Sequence, residues 1–100
     1  MTGMFSSMRY GTEDLFGDEI FVVYSDSGFF AVVQCARGGV GRPMVAPAKV
    51  NGASVEFTLD EEGSCDAKRF KGTVTGNTLK GRWGRDGEVV TLKRKSSYWQ

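Results

Sequence analysis

Three stretches of this 100-residue chain carry the residue types that chemistry draws on. Residues 59–68, LDEEGSCDAK, gather Asp60, Glu61, Glu62 and Asp66 around Cys65. A calcium loop alternates its carboxylates and closes on a glutamate, and this run does neither. Glycoside hydrolysis needs two carboxyls facing each other across a cleft, whereas these acids are chain neighbours. The run reads as a solvated acidic loop. Lys68 lies near Cys65 and would lower a thiol pKa, but a thiolate nucleophile also needs a base. The chain has no histidine, so the commonest general base and transition-metal ligand is missing. Residues 35–43, CARGGVGRP, have the glycine density of a phosphate loop. They lack its Lys-Ser/Thr, and Pro43 stands where a helix should start. That stretch reads as a flexible connection whose Arg37 and Arg42 are free to meet an anion or a partner. No nucleophile–base pair or ligand set emerges, so the expectation is no enzyme, no metal and no cofactor.

The third stretch, KGTVTGNTLKGRWGRDGEVVTLKRK at 71–95, is basic. Residues 1–66 hold four basic and ten acidic side chains, a net of −6; residues 67–100 hold nine and two, a net of +7. Such asymmetry inside a chain of net charge +1 points to a charged partner or to halves that complement each other. The length fits one domain, 1–100. No apolar run of about 18 residues is present to span a bilayer, and the N-terminus lacks the order of a signal peptide. A cytoplasmic location is the default, with Cys35 and Cys65 as reduced thiols; one disulfide stays open.

The elements that position these residues are hairpins. Gly76-Asn77 suits a two-residue turn and sets Val74 opposite Leu79, Gly72 opposite Gly81, and Phe70 opposite Trp83, all on one face. Lys71, Lys80 and Arg82 take the other. A turn at Asp86-Gly87 then places Trp83 beside Val90, Gly81 beside Leu92, and Lys80 beside Lys93. Asn51-Gly52 sets Met44, Ala46 and Ala48 against Leu59, Phe57 and Val55, with Pro47 outward, where it interrupts the ladder. A three-residue loop at Asp26-Ser27-Gly28 divides the next hairpin into two apolar faces. One has Ile20, Val22, Tyr24, Phe30 and Val32; the other has Phe21, Val23, Phe29, Ala31 and Val33. Cover for the outer face must come from the N-terminal segment, from the C-terminal SYWQ, or from another chain. With a first strand near residues 5–10, eight strands follow in sequence; the one weak helical stretch is residues 12–18. The expected fold is all-β, a single antiparallel up-and-down meander forming a small barrel or half-barrel, with a two-layer sandwich as runner-up.

Glycines 72 and 81 fall on the apolar face, where they either let the sheet curl around the Phe70 and Trp83 rings or leave a ligand cleft. Inward side chains fill barrels of about eight strands, which favours the first reading. The run F-x-G-x-V-x-G-N-x-L-x-G-x-W with T-L-K-R, residues 70–94, resembles the closing strands of calycin-type barrels: lipocalins, fatty-acid-binding proteins and avidins. The resemblance implies fold alone. With Gly72 and Gly81 on the inward face, those strands also motivate a second reading, a carrier of a small apolar ligand in a cavity lined by Tyr24, Phe57, Phe70, Gly72, Gly81 and Trp83.

Two function classes therefore lead. The first is a non-catalytic protein that docks onto another protein, of inhibitor, immunity or adaptor type. Its basic face is Lys71, Lys80, Arg82 and Lys93, for an acidic protein surface, and its apolar interface is Phe21, Val23, Phe29 and Val33, for a partner or a homodimer. The second is the carrier, which ranks lower because a short chain leaves little interior volume. Nucleic acid is disfavoured, since Phe70 and Trp83 face inward and cannot act as stacking platforms.

Overall fold

The computed structural model describes residues 1–11 and 14–95. Every regular element among them is a strand: β1 (Gly3–Ser6), β2 (Arg9–Tyr10), β3 (Leu15–Ser25), β4 (Gly28–Gly38), β5 (Met44–Asn51), β6 (Ser54–Thr58), β7 (Arg69–Thr75), β8 (Thr78–Trp83) and β9 (Val89–Lys95). β1 and β2 run one after the other along β3, so the nine segments make eight barrel strands. Each pairs antiparallel with the next, and β1 also pairs with β9, which closes the sheet on itself. The all-β meander expected from the turns forms, as a closed barrel in place of a half-barrel or sandwich.

The interruption between β1 and β2 has a local cause. Ser7 N–H donates to Asp18 O at 2.9 Å and Asp18 N–H to Ser7 Oγ at 3.0 Å, drawing the chain against Gly17. A Cβ on Gly17 would sit 2.6 Å from Ser7 C and 2.8 Å from Met8 Cα, so only glycine admits this approach. The weak helix expected over 12–18 is not formed where it can be judged: Leu15–Asp18 belong to β3, while residues 12 and 13 lie outside the described residues.

Four connections fix the register. Across Gly76-Asn77 the pairs are those expected: Val74 with Leu79, Gly72 with Gly81, Phe70 with Trp83. The next two keep the faces but slip by two residues. The β5–β6 loop is Gly52-Ala53, pairing Asn51 with Ser54 and Ala48 with Phe57, because the glycine takes the first loop position at φ +61°. The β8–β9 connection spans 84–88, pairing Gly81 with Val90 and Lys80 with Thr91. Gly84, at φ +71°, turns the chain directly after Trp83, and its N–H donates to Arg69 O at 2.7 Å. The expected like-charge contact of Lys80 with Lys93 is therefore absent; Lys93 pairs with Thr78.

The fourth connection changes the faces. The β3–β4 loop has two residues, Asp26 and Ser27, with Ser25 paired to Gly28. Ser25 Oγ accepts from Ser27 N–H at 3.2 Å and donates to Gly28 O at 3.1 Å, tightening the turn by one residue relative to the expected three. A one-residue slip inverts a strand. Ala31 and Val33 thus point inward with Ile20 and Val22, all fully buried, while Phe30 and Val32 point outward with Phe21 and Val23.

The β5–β6 ladder ends at Ala48–Phe57, one residue short of Pro47, which has no N–H to continue it. Beyond it, the loop at 59–68 folds back over this end of the barrel. Leu59 N–H donates to Lys68 O at 2.8 Å, and Leu59 and Cys65 are buried. Cys65 is bonded to Cys35 of β4, with Cα atoms 5.2 Å apart. The expectation of two free thiols is overturned: the lid brings Cys65 onto the inward face of β4, where the two sulfurs meet.

Candidate functional site

The interior comes first, because a carrier would need space there. Phe57 and Phe70 stack at 5.4 Å between ring centroids, and Trp83 meets them edge-on at 5.9 and 5.0 Å. A Cβ on Gly72 would lie 2.8 Å from Lys80 O and 2.9 Å from Leu79 Cδ1; one on Gly81 would run into the Phe70 ring. The two glycines make room for an aromatic cluster. Tyr24 stands apart from it, 67% exposed at the opposite end of the barrel, with its ring edge-on to Phe29 at 4.9 Å.

Sequence reasoning missed a polar network at the lidded end. Asp18, with its side chain 2% exposed, accepts a hydrogen bond from Trp83 Nε1 at 3.0 Å, and its Oδ1 lies 2.9 Å from Arg37 Nη1. Arg37 also donates to Asp66 Oδ1 at 3.1 Å, to Ala36 O and to Gly17 O. Burial works against the Arg37 charge, yet its bonds to Asp66 and Asp18 outweigh that and hold its pKa above the ordinary arginine value. The stretch expected to be a flexible connection thus supplies Arg37 to the network and Arg42 to an ion pair with Glu61. The signal available in sequence was an Asp at an inward position of an apolar strand, together with an inward Trp whose N–H needed an acceptor.

The outer wall has two opposed sectors. One is basic. Lys71 stands opposite Arg82 and Thr73 opposite Lys80, with Lys93 beside Thr78. Lys71, Thr73, Lys80, Arg82 and Arg85 flank a groove of about 470 Å³ floored by Gly72 and Gly81, and Lys93 stands outside its lining. Among the described residues the ion pairs are Arg37 with Asp18 and Asp66, Arg42 with Glu61, and Arg69 with Glu56. Lys71, Lys80, Arg82, Arg85 and Lys93 take part in none. Glu56 marks the border of the sector. Its bond from Arg69 at 3.0 Å, helped by the fields of Lys71 and Lys49, holds its pKa below the ordinary glutamate value. The stability this contributes is in place above the ordinary value and is lost as pH falls through the lowered one. Arg69→Ala is expected to move the Glu56 carboxyl upward in an NMR titration; an unmoved midpoint would remove Arg69 as the cause.

The other sector is apolar. Register sets Phe21 beside Val32 and Val32 beside Val45, and in the next row Val23 beside Phe30 and Phe30 beside Pro47. Phe21 is 40% and Val45 63% exposed. Of the four residues expected here, Phe21 and Val23 lie in this band; Phe29 and Val33 turn inward. The SYWQ segment, residues 97–100, named above as a cover, lies outside the described residues. No group of three or more metal-ligating side chains is assembled among the described residues. No protein-family model, curated protein or solved structure matches the chain.

Proposed function

We propose that this is a non-catalytic binding protein that docks, through the β7–β9 wall, onto an acidic face of another protein, in the manner of an inhibitor, immunity or adaptor protein. The observation that carries it is the set of four cations around one groove, Lys71, Lys80, Arg82 and Arg85, with no ion pair among the described residues. Charges held this way raise the encounter rate with an acidic surface and reject basic ones. An aromatic-filled interior supports this reading over a calycin-like carrier of an apolar ligand, and inward Phe70 and Trp83 leave the wall without the stacking platforms of a single-strand binder. The buried Cys35–Cys65 bond further supports a place in an oxidising compartment over the cytoplasmic default.

The test is capture from native lysate by the immobilised protein and by the K80E/R82E variant, with mass spectrometry of the bound proteins and of a solvent extract. Acidic proteins held by the first, released by salt and lost by the second, are expected. The same proteins on both columns, or a stoichiometric lipid in the extract, would overturn the reading.

A further inference from the structure

β3 holds two acidic side chains out of water, and the fold compensates one of them. Asp18 has the Trp83 indole and the Arg37 guanidinium. Glu19, the next residue, is 7% exposed and has no hydrogen bond or ion pair among the described residues. Every lysine and arginine of the chain lies among those residues, so the chain holds no other cation that could reach it. A carboxylate placed this way carries a desolvation cost that a cation from outside would offset.

The surroundings of Glu19 define that cation. Side chains alternate along β3, so Glu19 points to the outer wall together with Phe21. Register sets it between Ser6 of β1 and Gln34 of β4. Two returns of the chain flank this row. The turn at Ser7 and Met8 is one, where Met8 N–H donates to Ser6 Oγ at 3.1 Å. The segment after β4 is the other, where Gly41 N–H donates to Cys35 O and Gln34 Nε2 donates to Gly41 O at 2.8 Å. The second bond commits the amide nitrogen of Gln34 and leaves its Oε1 as an acceptor, and Ser6 Oγ keeps a lone pair. The row therefore gathers acceptors around one uncompensated charge, and the Phe21 ring, 40% exposed, stands two residues along the same strand.

We propose that Glu19, Ser6 and Gln34 receive the guanidinium of an arginine presented by a partner protein, with the Phe21 ring stacking against it. A guanidinium forks onto a carboxylate through two N–H groups, has three more for neighbouring acceptors, and lies flat on an aromatic face. An ammonium is a compact, strongly hydrated point charge with three donors and no such plane. A protein is the source because the wall beyond Phe21 continues through Val32 and Val45, which gives the residues flanking the arginine an apolar surface to lie on. The site is also distinct from the docking wall. Its charge is opposite, and Glu19 stands two strands from Lys93, with Ser6 between them.

The test titrates the peptide acetyl-Val-Arg-Val-amide into isotope-labelled wild type, Glu19→Gln and K80E/R82E, followed by NMR, with the lysine and glutamine peptides and methylguanidinium as comparisons. Saturable amide shifts at Glu19, Phe21, Val32 and Gln34 are expected for wild type, with a dissociation constant on the order of 1 mM. Glu19→Gln should weaken binding at least about tenfold, the size of a charge-assisted contact. K80E/R82E should bind as wild type does, so this site and the docking wall fail separately. A second measurement needs no peptide. Glu19→Gln keeps the side-chain shape and removes the uncompensated charge, so its melting midpoint should lie above that of wild type. A midpoint below wild type would show Glu19 satisfied within the fold and overturn the proposal. So would shifts that survive Glu19→Gln, the absence of any saturable shift, or equal affinity for the arginine peptide and for the lysine peptide, the glutamine peptide or methylguanidinium.

Discussion

Removing the Cys35–Cys65 bond is expected to lower the stability of the domain by about 3–4 kcal/mol. The bond joins residues separated by 30 positions, and the chain entropy released when a loop of that length is freed in the unfolded state has this size. A domain of this length has about a tenth of a kilocalorie per mole of net stability per residue, on the order of 10 kcal/mol in all. A single bond is therefore a large fraction of the total. At the entropy typical of a domain this small, the melting midpoint should fall by about 15–25 °C. The comparison is between wild type in oxidising and reducing buffer and the C35A/C65A variant, each unfolded in guanidinium. Wild type under reductant and the variant should converge on one lowered midpoint, with the slope adjusted for the more expanded unfolded chain. Both sulfurs are shielded, at 1% and 5% exposure, so reduction of the native protein should be slow until it opens. Coincident midpoints with and without the bond would show that the lid at 59–68 is held by its packing alone.

How much of this was legible beforehand depends on the range over which each feature is decided. The barrel follows from turn residues and period-two alternation, both local: Gly76-Asn77 gave its register to the residue, and Phe70, Trp83, Lys71 and Arg82 took their faces from it. Where a glycine could enter a turn at either of two positions, as at Gly52 or between Gly84 and Gly87, the pairing slipped by two and the faces survived. At Asp26-Ser27-Gly28 both faces of the hairpin are apolar. Hydrophobic pattern therefore could not choose between a two- and a three-residue loop, and the Ser25 hydroxyl decided it. That one residue exchanged Phe29 and Val33 for Phe30 and Val32 on the outer wall. The disulfide and the Arg37 network were illegible for a different reason. Their members stand 19 to 65 positions apart, and only closure of the barrel and return of the lid bring them together.

That network yields the other large effect. The Asp18 carboxylate is taken out of water, and its compensation is specific: a hydrogen bond from the Trp83 indole to Oδ2, and the Arg37 guanidinium 2.9 Å from Oδ1, a buried oxygen with no hydrogen-bond partner beside that ion pair. Arg37→Met keeps the aliphatic stem and removes the cation, leaving the carboxylate buried with a neutral donor alone. Breaking a buried pair from one side costs about 3–5 kcal/mol, because the remaining charge keeps its desolvation penalty and loses its partner. Part of the loss belongs to the lid, since Arg37 also anchors Asp66 in the segment that carries Cys65. The two contributions separate in a double-mutant cycle. Asp18→Asn, in the Arg37→Met background, removes the stranded charge while its side-chain oxygen can still accept from Trp83; most of the lost stability should return. Asp66→Asn in the same background should return nothing, because Asp66 is solvent-facing at 59% exposure and suffers little when its partner goes. If Arg37→Met unfolds within about 1 kcal/mol of wild type, the carboxylate is being satisfied by water reaching the barrel end. The closed, lidded end on which the account of a filled interior rests would then be wrong.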